Sequence, residues 1–488
     1  MTPPRLSRHS LPQLRPGIRR PAYDPAATRI GIAHLGLGAF HRAHQAVYTD
    51  DRLAAGETGW GISGMSLRSP AVREALAPQD GLYTVLKRGP DGDAARIIGS
   101  IAEVLTVPET PERAMARLTD PATRIISLTV TEKAYGRAGD GGLDAAHPDI
   151  RHDLAGEAFP RSAPGLLVEA LRQRRAAGAP ACTILCCDNL PRNGETVSRI
   201  VAEFAARRDP GLAAWIGENV TFPSTMVDRI VPATRDEDRA AVAALGYEDA
   251  WPVVAEPFTQ WVIEDRFAGP RPRWEEAGAL LVGDVHAYEL MKLRCLNGAH
   301  SSLAYLGALA GLETVSDAMA EPALAGFLPR LWREDVIPTL APVPGVDLPT
   351  YTAQLAERFR NPAIRHRLLQ IAMDGSQKLP QRLLGPALAR LRDGAMPQAI
   401  ATAVAGWMAF LLGTDERGGT HGIDDPIGVR LSATARAAGR DAAALSQALF
   451  AIREVFPAEL AEHEGFRDAV RETLGRLLAQ GVRKTLAA

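Results

Sequence analysis

The stretch RIGIAHLGLGAFHRAHQAVYTDD, Arg29–Asp51, decides the fold. Its first residues are apolar over the length of one strand, Gly36 and Gly38 follow at once, and a helical pattern starts near Phe40. Strand, glycine turn and helix in that order open a dinucleotide-binding βαβ unit. Gly36 permits the tight turn and Gly38 lets backbone approach a pyrophosphate. The helix begun by Ala39 and Phe40 then offers N–H groups to the anion. His41 stands where the usual fingerprint has a third glycine. A plain βα turn is the alternative reading of so short a motif.

Downstream, GWGISGMSL (59–67), RIISLTVTE (124–132) and ACTILCCDNL (181–190) are further apolar runs. Between them lie helical patterns such as GLLVEALRQRR and ETVSRIVAEFAARR. Near-continuous apolar strands alternating with helices predict an α/β, doubly wound, Rossmann-like parallel sheet over residues 28–283. From residue 284 the texture becomes Ala- and Leu-rich at helical spacing, predicting a mostly α-helical C-terminal domain over 284–488. Residues 1–27 carry Arg5, Arg8, Arg15, Arg19 and Arg20 before the first acidic residue, Asp24. Five prolines there break any amphipathic helix, so the segment reads as an extended surface arm rather than a transit peptide.

The chain has 488 residues, 46% hydrophobic and 23% charged, which excludes disordered and fibrous classes. Fifty-five Lys and Arg against 57 Asp and Glu give a net charge of −2, which lends no support to a nucleic-acid or anionic-membrane partner. No apolar run approaches the ~20 residues of a membrane-spanning helix. Four cysteines, Cys182, Cys186, Cys187 and Cys295, lack zinc-site spacing and are too few for a disulfide framework, so a reducing cytoplasm is expected. His34, His41 and His44 are close in sequence but split between strand and helix, and no metal is expected.

At the end of the second strand, where an acidic residue would favour NAD, the chain has Arg68 and Ser69, which suit a 2′-phosphate and keep NADP open beside NAD. In the helical half, Lys292, Asn297 and His300 share one segment. On a single α-helix at about 100° per residue, Asn297 and His300 lie roughly 140° and roughly 80° from Lys292, so all three project to one side. A metal-free dehydrogenase needs a proton acceptor and donors for a developing alkoxide, and an amine, an amide and an imidazole supply them. The alternative is a surface Lys292 and a helix break at Asn297-Gly298. Asn189, past the 181–190 strand, either extends the polar cage or starts an Asx turn. Asp228 and Arg229 form a site pair or an ion pair, and Lys378 stands between a turn and a proline.

The runs GLGAFHRAHQAVYTDD, SLTVTEKAYG, CDNLPRNG, FPSTMVDRIVP, EPFTQWVIED, MKLRCLNGAHSSLAYLG and DGSQKLPQR, in this order, resemble the polyol-specific long-chain dehydrogenases, the mannitol dehydrogenase family. The resemblance implies a nicotinamide-binding first domain, a helical second domain and a metal-independent active site. It implies Lys292 as general base, Asn297 and Asn189 as oxyanion donors, His300 orienting the substrate, and Asp228 and Lys378 near it. That family's own G-x-G-x-F-H-R pattern accommodates His41.

Lys133 and Arg294, with the run DGSQKLPQR, look more like the fructuronate reductases (mannonate oxidoreductases) of that family, and extra cations suit a substrate that carries a carboxylate. Arg294 lies at roughly 200° on the same wheel, near the edge of the proposed face. The expectation is therefore reversible NAD-dependent reduction of D-fructuronate to D-mannonate, with D-mannitol to D-fructose oxidation as the alternative. A hexuronate or polyol is the expected partner, and the chain is expected to be a monomer or weak oligomer. GYEDAWPVV and LAPVPGVDL resemble the mannitol dehydrogenases equally. A nucleotide-binding protein without the chemistry is the reading from another class, and intact Lys292, Asn297 and His300 argue against it.

Overall fold

The computed structural model describes residues 3–90, 92–156 and 158–487. The chain divides into two compact units, Met1–Glu289 and Leu290–Ala488. Among the described residues the strands, all in the first unit, are β1 (Ile30–Leu35), β2 (Gly61–Ser66), β3 (Tyr83–Gly89), β4 (Gly92–Ile98), β5 (Ile101–Thr106), β6 (Ile125–Leu128), β7 (Thr183–Cys186), β8 (Thr225–Asp228), β9 (Val253–Ala255), β10 (Gln260–Glu264) and β11 (Leu280–Val282).

Five of them form a parallel sheet in the order β5-β2-β1-β6-β7. The chain winds outward from β1 in one direction and then, from β6, in the other, which puts the switch point of a doubly wound sheet between β1 and β6. All four runs expected as strands lie in this sheet, side by side. Their continuous apolar character follows from burial on both faces. Ile125 and Ile126, neighbours on β6, enter opposite cores: Ile126 packs with Leu166, Leu171 and Phe204 of the helices Ala163–Ala176 and Asn193–Arg208, whereas Ile125 joins Tyr48, Trp261 and Trp274.

Two further sheets, β4-β3-β9 and β11-β10-β8, go beyond the expected doubly wound sheet. Their sequences carry little periodic signal. β9 and β11 have three residues each, and β4 begins with exposed Gly92, Asp93 and Ala94. The N-terminal arm is held against this unit: Leu6 and Leu14 are buried with Leu82, Ile97, Val242 and Tyr247, and Arg19 exchanges backbone hydrogen bonds with Ala95 and Ile97.

The second unit is helical. Helices Gly298–Leu309 and Gln398–Phe410 are apolar on nearly every side, as helices at the centre of a domain are, and each is almost wholly buried. Among the described residues no helix is long and apolar enough to cross a membrane.

Candidate functional site

In the first unit the glycine turn follows β1 directly. Gly36 has φ +94°, and a Cβ there would meet the Thr129 carbonyl oxygen at 2.1 Å, so glycine is required twice over. Gly38 is different: it is exposed, its φ of −86° suits any residue, and a Cβ would meet nothing nearer than the Gly36 oxygen at 3.8 Å. The fold itself does not demand glycine at 38, which points to something outside the chain approaching the backbone there. Helix Ala39–Ala43 follows, with half-buried Ala39 and Phe40 at its start.

His41, at the third fingerprint position, is fully buried and stacks on His34 of β1 with ring centroids 3.4 Å apart. Two flat rings thus fill the gap that a glycine would close by bringing helix and strand together. The His34 Nδ1 accepts from the Ser127 hydroxyl at 2.8 Å, and its Nε2 faces Gly36 O at 3.1 Å and Thr129 Oγ1 at 2.9 Å, an arrangement satisfied by the Nε2–H tautomer. The Thr129 hydroxyl also donates to Gly36 O at 2.7 Å, so the turn is pinned from the neighbouring strand. Burial pushes the His34 imidazole down to about 3, and His41 is pushed well below its ordinary range by burial and then by His34.

Arg68, two residues beyond β2, is 81% exposed and ion-paired with Asp149 at 3.3 Å. An ion pair so exposed is worth little and leaves the side chain able to move. At the end of β6, Thr131 has φ +75° and starts an exposed turn that carries Lys133. Asp188 fixes this turn: its carboxylate accepts from Val130 N at 2.9 Å, Thr131 N at 3.1 Å and the Tyr135 hydroxyl at 2.7 Å. Burial pushes the Asp188 carboxyl up against the lowering effect of these donors. Asn189 follows, exposed, in the loop before helix Asn193–Arg208.

Asp228 is the last residue of β8, 3% exposed, opposite Gln260 in the antiparallel register. Arg229 donates Nε and Nη2 to the Glu256 carbonyl and Nη1 to the Ala43 carbonyl, a structural tie between segments distant in sequence. Asn193, absent from the expected site, links β7 and β8 by donating to the Asp188 and Thr225 carbonyls and accepting from Thr225 N at 2.8 Å.

In the second unit, one expectation about geometry is corrected. The segment from Lys292 is not one α-helix: Lys292–Asn297 is a π-helical turn between helices His286–Met291 and Gly298–Leu309. Hydrogen bonds from i to i+5 widen the turn, so a five-residue step brings Asn297 back toward the face of Lys292 instead of roughly 140° away. Side chains collect the carbonyls of this wide turn. Trp332 Nε1 donates to Cys295 O at 2.8 Å, and Arg382 Nη1 reaches toward Asn297 O at 3.5 Å. Lys292 and Asn297 are half-buried.

His300 is 5% exposed, stacks on Phe359 at 4.4 Å and meets His366 edge-on at 5.1 Å. Its Nε2 is buried and has no hydrogen-bond partner among the described residues. Burial first, then His366, Arg382, Arg358 and Lys292, push the His300 ring well below its ordinary range, so it is a neutral imidazole. An unpaired buried nitrogen is costly, and a ligand hydroxyl would satisfy it.

Lys378 is half-buried, and its Nζ donates to Met373 O at 2.6 Å and Ile371 O at 3.3 Å. Its short helix, Gly375–Leu379, is tied at the start: Ser376 donates through N and Oγ to Asp425, both at 2.7 Å, and a Cβ on Gly375 would strike Trp407 Nε1 at 2.7 Å. Arg294 is half-buried and donates Nη1 to Thr339 O at 2.6 Å and Thr339 Oγ1 at 2.9 Å, which ties the π turn to a neighbouring segment. Among the described residues no group of three or more His, Cys, Asp or Glu side chains is placed to hold a metal.

Sequence profiles of known families match both parts of the chain: the mannitol dehydrogenase Rossmann domain over residues 30–276 and the mannitol dehydrogenase C-terminal domain over residues 284–478. The chain belongs to the mannitol dehydrogenase family. Its relatives include a D-mannonate oxidoreductase of Escherichia coli (strain K12), 44% identical over 96% of this chain and 98% of that protein. A mannitol 2-dehydrogenase of Aspergillus fumigatus is 38% identical over 100% of this chain and 99% of that one. Among solved structures, the Pseudomonas fluorescens mannitol 2-dehydrogenase, in a ternary complex with NAD and D-mannitol, is 41% identical over 99% of each chain with a TM-score of 0.91. Membership of this family makes the protein an oxidoreductase acting on CH–OH groups.

Proposed function

We propose that the protein catalyses the reversible NAD(H)-dependent reduction of D-fructuronate to D-mannonate. The observation that carries this reading is the 44% identity to a D-mannonate oxidoreductase along nearly the whole of both chains. A nicotinamide cofactor fits the turn at Gly36–Phe40, where Gly38 is exposed and a pyrophosphate could approach its backbone. NADH, when bound, supplies the hydride for C2 of the ketose. Lys292 in its ammonium form gives its proton to the ketone oxygen as the C–O double bond opens, and the neutral amine takes that proton back in the oxidative direction. The amides of Asn297 and Asn189 donate to the oxygen while it carries negative charge. The neutral His300 offers Nε2 to a substrate hydroxyl, and Asp228 and Lys378 bind the rest of the chain of hydroxyls. NAD is the favoured cofactor, and Arg68 with Ser69 keeps NADP as the alternative. The setting is a reducing cytoplasm, with the chain a monomer or weak oligomer.

A second reading, oxidation of D-mannitol to D-fructose, draws support from the TM-score of 0.91 to a mannitol 2-dehydrogenase. Oxidation of D-mannonate and D-mannitol with NAD, measured side by side, separates the two. Faster turnover of mannonate is expected, and faster turnover of mannitol would replace the first reading by the second. In a Lys292→Ala protein turnover should fall by about 10²–10⁴-fold while NADH binding persists. Loss of both together would deny Lys292 its place in the chemistry.

A further inference from the structure

Arg382 is a cation outside the set expected from the sequence, yet it is built against the segment that carries Lys292, Asn297 and His300. It lies on a second π-helical turn, Pro380–Leu384, immediately after the short helix of Lys378. The two π turns touch at Gly298, where a Cβ would stand 3.0 Å from the Arg382 carbonyl oxygen. From there the side chain returns across the turn: Nη1 donates to Ser301 Oγ at 3.1 Å and approaches Asn297 O at 3.5 Å. These contacts flank His300 in sequence, and the His300 Nε2, buried without a hydrogen-bond partner among the described residues, is the independent sign that a polar ligand completes this face. After the His366 ring, the groups that act on His300 are Arg382, Arg358 and Lys292, three cations beside which a carboxylate is better placed than a neutral group.

We propose that Arg382 is the specificity-determining residue that receives the carboxylate of the hexuronate substrate. The assignment rests on the hexuronate reading above and moves the carboxylate role away from Lys133 and Arg294. Arg294 already ties the π turn to Thr339, and Lys133 lies on an exposed turn of the first unit. A guanidinium presents a planar fork of donors that matches a carboxylate, and with one Nη on Ser301 the rest of the fork is held in a fixed orientation. In the open-chain substrate the carboxylate stands at the opposite end from the reacting ketone. Binding it therefore places the sugar without touching the atoms that change.

The test is the ratio of kcat/KM for D-fructuronate to that for D-fructose, in the wild type, Arg382→Gln and Arg382→Lys, each checked by melting temperature and NADH binding. The ratio is expected to fall by about 30-fold or more in Arg382→Gln, chiefly through KM for fructuronate, and to recover in part in Arg382→Lys, which keeps charge without the fork. An equal loss on both substrates would mark Arg382 as structural and overturn the proposal, as would an unchanged ratio. A wild type that prefers fructose refutes the hexuronate reading itself. A wild type that prefers fructuronate, with the ratio unmoved by Arg382→Gln, refutes only the role of Arg382. If Arg382→Gln does not fold, Ser301→Ala with Arg382→Lys decides: both should lower the ratio, and no change in either overturns the assignment.

Discussion

Gly36 and Gly38 look alike in the sequence and have different physical reasons to be glycine. Gly36→Ala puts a Cβ against the Thr129 carbonyl at a positive φ, and should destabilise the first unit by about 2 kcal/mol or more. In Gly38→Ala the nearest atom to the new Cβ among the described residues, chain neighbours apart, is the Gly36 oxygen at 3.8 Å, so the melting temperature should stay unchanged while KM for the nucleotide rises. Equal melting shifts in the two variants would contradict this division. The turn at Gly36 was legible because strand, glycine and helix follow one another directly in the sequence. The work of His41 was not, because its partner, His34, lies across a turn and nothing in the spacing says that two imidazoles will stack.

The buried histidines also set how the protein responds to acid. His34, His41 and His300 are neutral in the fold, whereas in the unfolded chain they protonate near pH 6.5. Below that pH the unfolded state binds more protons. Stability that is complete above it is then lost as pH falls, by about 1.4 kcal/mol per pH unit for each such group, down to its folded value, about 3 for His34. Denaturant titrations between pH 7 and pH 5 should show this slope, and His34→Asn should reduce it by one proton. An unchanged slope in that variant would mean that His34 is protonated in the native protein.

At the scale of elements, the strands of the main sheet announce themselves because burial on both faces makes them continuously apolar. The strands of the two small sheets are too short or too exposed to do so. The π turn at Lys292–Asn297 had no signal, since its residues suit an α-helix equally and the widening comes from tertiary contacts such as Trp332 on the Cys295 carbonyl. The assumption of uniform α-helical spacing therefore overstated the angle between Lys292 and Asn297. Gly298→Ala tests the junction of the two π turns: a Cβ 3.0 Å from the Arg382 carbonyl must push Pro380–Leu384 aside. Turnover should fall with no loss of NADH affinity; an unchanged kcat/KM would show that the junction does not position the reacting groups.

Over the whole molecule, the near-neutral charge of −2 says nothing about substrate class, whereas Arg382, Arg358 and Lys292 all act on the one buried ring of His300. The four cysteines are all buried, and burial pushes each thiol up. Native protein should react slowly with a thiol reagent and yield four thiols only after denaturation. Rapid labelling of the native state would contradict the packing described for β7 and the π turn. Whether this mannitol dehydrogenase family member acts on a hexuronate is decided by comparing kcat/KM for D-fructuronate and D-fructose with NADH on the wild-type protein. Fructuronate should be preferred; a preference for fructose would refute the hexuronate reading.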